Sequence, residues 1–189
     1  MGYFFLGRLY YNYAKTREEY KEVVELFDRA EDKEGYYYNA LIYITQLKDE
    51  TKDYIALKYL GKAANKAYRP AMMLAGMIWE KAKDYEKAFG WYENCLGTQL
   101  FSNELELEAY YKVGYFYKEG LGVEKDYAKA LENFQFVITE EPKQKEINKK
   151  NYSNANYQLG LMYESGLGVE IDKEKAKAYF EEAEKYKND

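Results

Sequence analysis

The side chains that usually carry catalysis are nearly absent from this chain. None of its 189 residues is histidine, which removes the usual general base, the commonest metal ligand and every Ser-His or Cys-His arrangement. The single cysteine, Cys95, reads as a packed small hydrophobe rather than a nucleophile. The acidic pairs Glu18-Glu19 and Glu181-Glu182 read as solvated helix faces, and no residues have metal-site spacing. Two Gly-Leu-Gly-Val stretches, Gly120 to Val123 and Gly166 to Val169, lack the third glycine and the preceding strand of a dinucleotide fingerprint, so each reads as a turn. No catalytic residue, cofactor or metal is expected. Tyrosine, in contrast, is abundant, at 24 residues, and large aromatic side chains dominate the energetic centres of protein interfaces.

The elements that must position these residues follow from an internal repeat. Val113 to Phe134 and Leu159 to Phe180 are identical at 11 of 22 aligned positions. The last copy sets a ruler: small Ala155, Leu159-Gly160, aromatic Tyr163, Ala176 thirteen residues on, then Phe180 and Ala183. The copy before it reads Ala109, Val113-Gly114, Tyr117, Ala130, Phe134 and Val137. Upstream lie Gly35, Asn39-Ala40, Tyr43, Ala56, Leu60 and Ala63, and before them Gly2, Leu6-Gly7, Tyr10, Val23, Phe27 and Ala30. The middle copy, Ala71, Ala75-Gly76, Trp79, Ala88, Tyr92 and Cys95, has a shortened turn, and its cysteine stands where other copies have Ala or Val.

Spacings of three and four on both sides of a polar break predict helix A, a turn and helix B in every copy. The first glycine of each Gly-Leu-Gly-Val suits a left-handed residue ending helix A, and Asp126 and Asp172 suit the N-cap of helix B. Thr16 with Glu19 offers a capping box. Glycine in the middle of helix A (Gly7, Gly76, Gly114, Gly160) predicts close helix packing. Tyr10, Tyr43, Tyr117 and Tyr163 are expected in the core.

These residues resemble the Sel-one-like repeat (SLR) family, relatives of the tetratricopeptide repeat. Its pattern of Leu-Gly, Met-Tyr, Gly-x-Gly-Val, Asp, Lys-Ala and an aromatic runs through Gln158 to Phe180, and only the first three copies lack Gly-x-Gly-Val. The resemblance implies an all-α fold, a right-handed α/α solenoid of about five helix-turn-helix repeats. One domain over 1–189 is expected, with copies at approximately 1–34, 35–69, 70–107, 108–153 and 154–189. It also implies a concave face built from helix A positions three, seven and ten. These are Phe4, Arg8 and Tyr11; Tyr37, Leu41 and Ile44; Met73, Met77 and Glu80; Tyr111, Tyr115 and Lys118; and Tyr157, Leu161 and Glu164. Two readings of that stripe stand open: burial between neighbouring helices, or a groove for a protein partner, more apolar at its N-terminal end and more charged at its C-terminal end.

The resemblance further implies a non-catalytic protein-interaction module: an adaptor, scaffold or inhibitor, including immunity proteins that neutralise a toxin. The net charge of −5 and pI of about 5.1 disfavour nucleic acid and favour a basic partner surface such as an enzyme or toxin. The Lys, Asn, Tyr, Glu and Ile bias suits an A+T-rich bacterial or phage genome. No run approaches the length of a membrane span, and Tyr3-Phe4-Phe5-Leu6 reads as part of the first repeat rather than a signal or anchor. Secreted members of the family staple their helix pairs with disulfides, so a lone cysteine implies a cytoplasmic chain. An alternative is self-assembly, a homo-oligomer formed through exposed terminal repeats with Tyr3, Phe5 and Leu9 at the contact. Extra residues at Thr139 to Ser153 and at Gly97 to Asn103 exceed the ruler, and the first stretch reads as a solvated loop or an extended helix B.

Overall fold

The computed structural model describes residues 2–47, 50–97, 104–139 and 149–187. Among them are ten α-helices and no strand: α1 Gly2–Tyr13, α2 Arg17–Ala30, α3 Lys33–Ile42, α4 Lys52–Ala64, α5 Arg69–Lys81, α6 Tyr85–Cys95, α7 Glu104–Glu119, α8 Tyr127–Ile138, α9 Lys149–Ser165 and α10 Lys173–Lys185. The odd-numbered helices are the A helices and the even-numbered the B helices of the five copies. The chain forms two compact units, Met1–Ile78 and Trp79–Asp189, divided within α5.

Helix starts follow side-chain chemistry. Thr16 accepts from the Glu19 amide at 3.2 Å while Glu19 accepts from the Thr16 amide at 2.9 Å, a complete capping box. Asp126 and Asp172 each accept the third amide of their helix at 3.0 Å, and Asp84 does so at 3.3 Å. The two Gly-Leu-Gly-Val turns are the same object twice. Gly120 and Gly166 are left-handed at φ 70° and 69°. The cap amides of Asp126 and Asp172 then donate back to the carbonyls of Tyr117 and Tyr163, at 3.0 and 2.9 Å, closing the loop against its own helix A. The second glycines, Gly122 and Gly168, are also left-handed. They lie against the start of the preceding B helix, Tyr85 and Glu86 in one case and Tyr127 in the other.

In copies one, four and five an aromatic ring of helix B packs on the mid-helix glycine of helix A. The rings of Phe27, Phe134 and Phe180 press on the Cα positions of Gly7, Gly114 and Gly160, where an added Cβ would stand 2.9, 3.0 and 2.5 Å away. The expected close packing at these glycines is therefore between backbone and a helix B ring. Copies join through helix A position eight: Phe116 is fully buried among Tyr85, Phe89 and Tyr92 of the preceding B helix, with ring centroids 5.6–6.4 Å apart. Cys95 is buried.

Two expectations are corrected. Tyr10 is 48% exposed rather than core, and Tyr43 and Tyr163 are half-buried; of the four, Tyr117 is buried. Tyr117 packs on Phe89 of the preceding B helix at 5.1 Å, whereas Tyr43 and Tyr163 stack on Tyr59 and Tyr179 of their own B helices at 5.9 and 5.5 Å. Lys149 to Ser153 are neither loop nor part of helix B: they form the first turn of α9. Ser153 donates to the Ala183 carbonyl at 2.8 Å and Tyr152 to Glu182 at 3.1 Å, which anchors that turn on α10. Glu140, Glu141, Pro142, Lys143 and Lys145, and Thr98 to Asn103, lie outside the described residues. An unforeseen feature is a π-helical turn, Tyr43–Leu47, continuing α3.

Candidate functional site

In the first unit the stripe residues pack against rings of neighbouring helices without closing over them. Phe4 lies 5.9 Å from Phe27, and Tyr37 makes an edge contact with Tyr68 at 5.5 Å. Tyr11 sits between Tyr20 and Tyr38, at 6.2 and 5.5 Å. The Arg8 guanidinium stands 5.8 Å over the Tyr38 ring, which also stacks on Phe27 at 5.3 Å. Tyr38 is thus the hub of this cluster, and it was missed because it occupies position four, one residue off the stripe. Burial is the first cause raising the hydroxyl pKa of both Tyr11 and Tyr37, followed by neighbouring tyrosines. Leu41 and Ile44 are half-buried, Met73 is enclosed, and Met77 is 48% exposed.

In the second unit the same positions divide by role. Glu80 is held between copies: it accepts from the Tyr92 hydroxyl at 2.5 Å and from Lys112 Nζ at 2.9 Å. Burial and then that carboxylate push the Tyr92 hydroxyl strongly upward. Tyr111 rests on Phe134 at 5.9 Å and on Tyr115 at 6.5 Å. Its hydroxyl is raised chiefly by burial and pulled partly back by a hydrogen bond with Gln158 of the next copy. Lys118 pairs with Glu119 at 2.7 Å and lies 5.8 Å over Tyr115.

The last copy is where one copy's three stripe residues come together around open space. Tyr157, Leu161 and Glu164 line one wall of a groove of about 540 Å³, with Phe180 and Glu184 of α10, and Lys187 just beyond its end, opposite. One copy earlier, the residues matching Phe180 and Ala183 are Phe134 and Val137, which are fully buried where α9 packs onto α8. The groove therefore has the form of a seat for a helix. Its rim differs from that of copy four: Glu184 stands where copy four has Ile138. Among the described residues no cluster of His, Cys, Asp and Glu could hold a metal ion.

A family model for the Sel1 repeat matches residues 35–68, 72–94, 107–136 and 153–185, more than half of the chain. The chain belongs to the Sel1 repeat family. Copy one lies outside the matched segments, yet α1 and α2 form the same helix pair as the Sel1 repeats that follow. Among solved structures, a Sel1 repeat protein from Oxalobacter formigenes superposes with a TM-score of 0.71 at 21% identity, covering 98% of this chain and 72% of that one. The protective antigen c5321 of uropathogenic Escherichia coli, which displays an SLR fold, gives 0.65 at 23% identity over 96% of this chain and 37% of its own. MamA gives 0.56 at 18% identity over 90% of both chains. These likenesses concern the fold, an all-α solenoid of helix pairs. In sequence, 84 residues are 29% identical to the ERAD-associated E3 ubiquitin-protein ligase component HRD3 of Candida glabrata, a match spanning 44% of this chain and 9% of that protein. Sel1 repeats are in general protein-interaction modules. No helix among the described residues is long and apolar enough to cross a membrane.

Proposed function

We propose that this chain is a non-catalytic protein-binding module, a cytoplasmic adaptor, scaffold or immunity-type inhibitor that holds a partner against its helix A stripe. The observation that carries this reading is the groove between α9 and α10, which repeats the seat a helix fills one copy earlier and is itself open. An amphipathic helix laid into such a groove buries its apolar face on Tyr157, Leu161 and Phe180. Glu164 and Glu184 at the rim, with the net charge of −5, favour a partner segment with basic flanks, such as one on a basic enzyme or toxin. An inhibitor of this kind would bind at nanomolar strength, about 12 kcal/mol, whereas a scaffold works at micromolar strength.

The test is affinity capture from native lysate, comparing wild type with Leu161→Glu and with the pair Leu41→Glu, Tyr115→Glu. Partners lost from the variants, with helicity and melting retained, support the stripe. Partners captured equally by all three chains would overturn it. A second reading, assembly of copies through an exposed repeat face, is favoured by one observation, the bare apolar outer face of α1.

A further inference from the structure

We infer that the outer face of α1 is an interface for a second copy of this chain, paired antiparallel about a two-fold axis; this deepens the assembly reading and is independent of the groove in the last copy. The repeat register marks the face as one built for burial. Leu9 is 52% exposed, while Ile42, Phe116 and Met162 at the same position are all at 0% and Ile78 is half-buried. Leu6 is 39% exposed, against 0–2% for Asn39, Val113 and Leu159. With Tyr3, Phe5, Tyr10 and Tyr13, these side chains form a continuous stripe on one side of α1, whose single charge, Arg8, lies on the other side over Tyr38.

Area and charge point to a second copy as the occupant. Six large apolar side chains, each about half exposed, present on the order of 600 Å², so two such faces bury on the order of 1,200 Å² together, within the range of specific interfaces. The stripe is flanked by α2, which runs antiparallel to α1. The Arg29 guanidinium lies 6.0 Å over Tyr3 at one end, Glu22 and Glu25 share a groove with it beside Leu6 and Tyr10, and Glu19 and Glu22 border a cleft of about 400 Å³ with Tyr10 and Tyr13 toward the other end. In an antiparallel pair about a two-fold axis across α1, each Arg29 would face the acidic end of the partner's α2. Parallel pairing would instead face glutamate with glutamate. Head-to-tail stacking onto α10 is disfavoured, because Lys173 and Lys177 occupy the positions of Tyr85 and Phe89, the rings that receive Phe116.

The decisive experiment is sedimentation equilibrium of the full chain and its variants up to about 100 μM, above the micromolar range of weak specific interfaces. A dimer is expected for wild type and a monomer of unchanged helicity for Leu9→Glu and for Tyr13→Glu, both exposed positions. Glu22→Arg and Arg29→Glu should each raise the dimer Kd about tenfold, since each pairing occurs twice, and the double variant should restore it. A wild-type monomer, or a dimer indifferent to Leu9→Glu, would overturn the interface and leave the face to another occupant. Loss without rescue in the charge-swap pair would overturn the antiparallel arrangement.

Discussion

At Gly122 a single hydrogen decides whether two copies fit together. A Cβ there would fall inside the backbone of Tyr85 and Glu86, and φ is 65°, a region that costs an L residue about 1–2 kcal/mol before any clash. Gly122→Ala should lower stability by about 2 kcal/mol or more, read as a fall in the urea midpoint. Gly61 is the opposite case, an interior residue of α4 with open space around it. Gly61→Ala should raise stability by about 0.5–1 kcal/mol. The capping carboxylates add a pH dependence. Hydrogen bonds with Lys175 and Lys87 hold Asp172 and Asp84 below the usual aspartate range, and the Lys15 and Thr16 amides do the same for Glu19. A depressed folded-state pKa means stability that is fully present above the unfolded value, about pH 4, and lost as pH falls through the folded one. Acid melting curves of Asp172→Asn should therefore slope less steeply below about pH 4 than those of wild type.

At the scale of elements, the parts legible in the sequence were those set by local chemistry. Asp126, Asp172, Thr16 and Glu19 cap as their types and spacing dictate, and the left-handed Gly120 and Gly166 follow from the turn they end. What was not legible depends on partners distant in the chain. Tyr10 and Tyr117 hold the same repeat position, yet Tyr117 is buried against Phe89 of the preceding B helix while Tyr10 is 48% exposed. Glu80 was expected on the partner-facing stripe, but Lys112, on the next A helix, and Tyr92 claim it. The π turn at Tyr43–Leu47 has no local signature, and it moves Ile44 off the regular helical path expected for position ten. The Glu80 clamp joins α5, α6 and α7 within the second unit, so its removal should loosen the seam between copies three and four. A double-mutant cycle with Glu80→Gln and Lys112→Met should give a coupling of about 1 kcal/mol, and Tyr92→Phe should weaken it.

At the scale of the whole molecule, the five copies are alike in plan and unlike in what their surfaces present. Copy one turns an apolar face outward on α1, while copy five places Lys173, Lys177 and Glu184 where copies three and four have rings and aliphatic chains. An acidic chain whose open groove is rimmed by Glu164 and Glu184 should hold a basic partner less tightly as salt rises, because screening shortens the reach of these charges to about 8 Å at physiological ionic strength. Titration of a captured partner at increasing salt should show affinity falling steadily, driven mainly by slower association. Association through the α1 stripe, being apolar, should change much less over the same range.

Both tryptophans, Trp79 and Trp91, belong to the middle copy, and Lys87 Nζ rests 4.2 Å above the Trp79 ring. Indole emission is therefore a beacon for one repeat in five, whereas far-ultraviolet ellipticity averages over all of them. Matching midpoints from the two signals would mean that the stack melts as a single cooperative body, and separated midpoints would time the opening of the middle copy against the rest, with no label added to the chain.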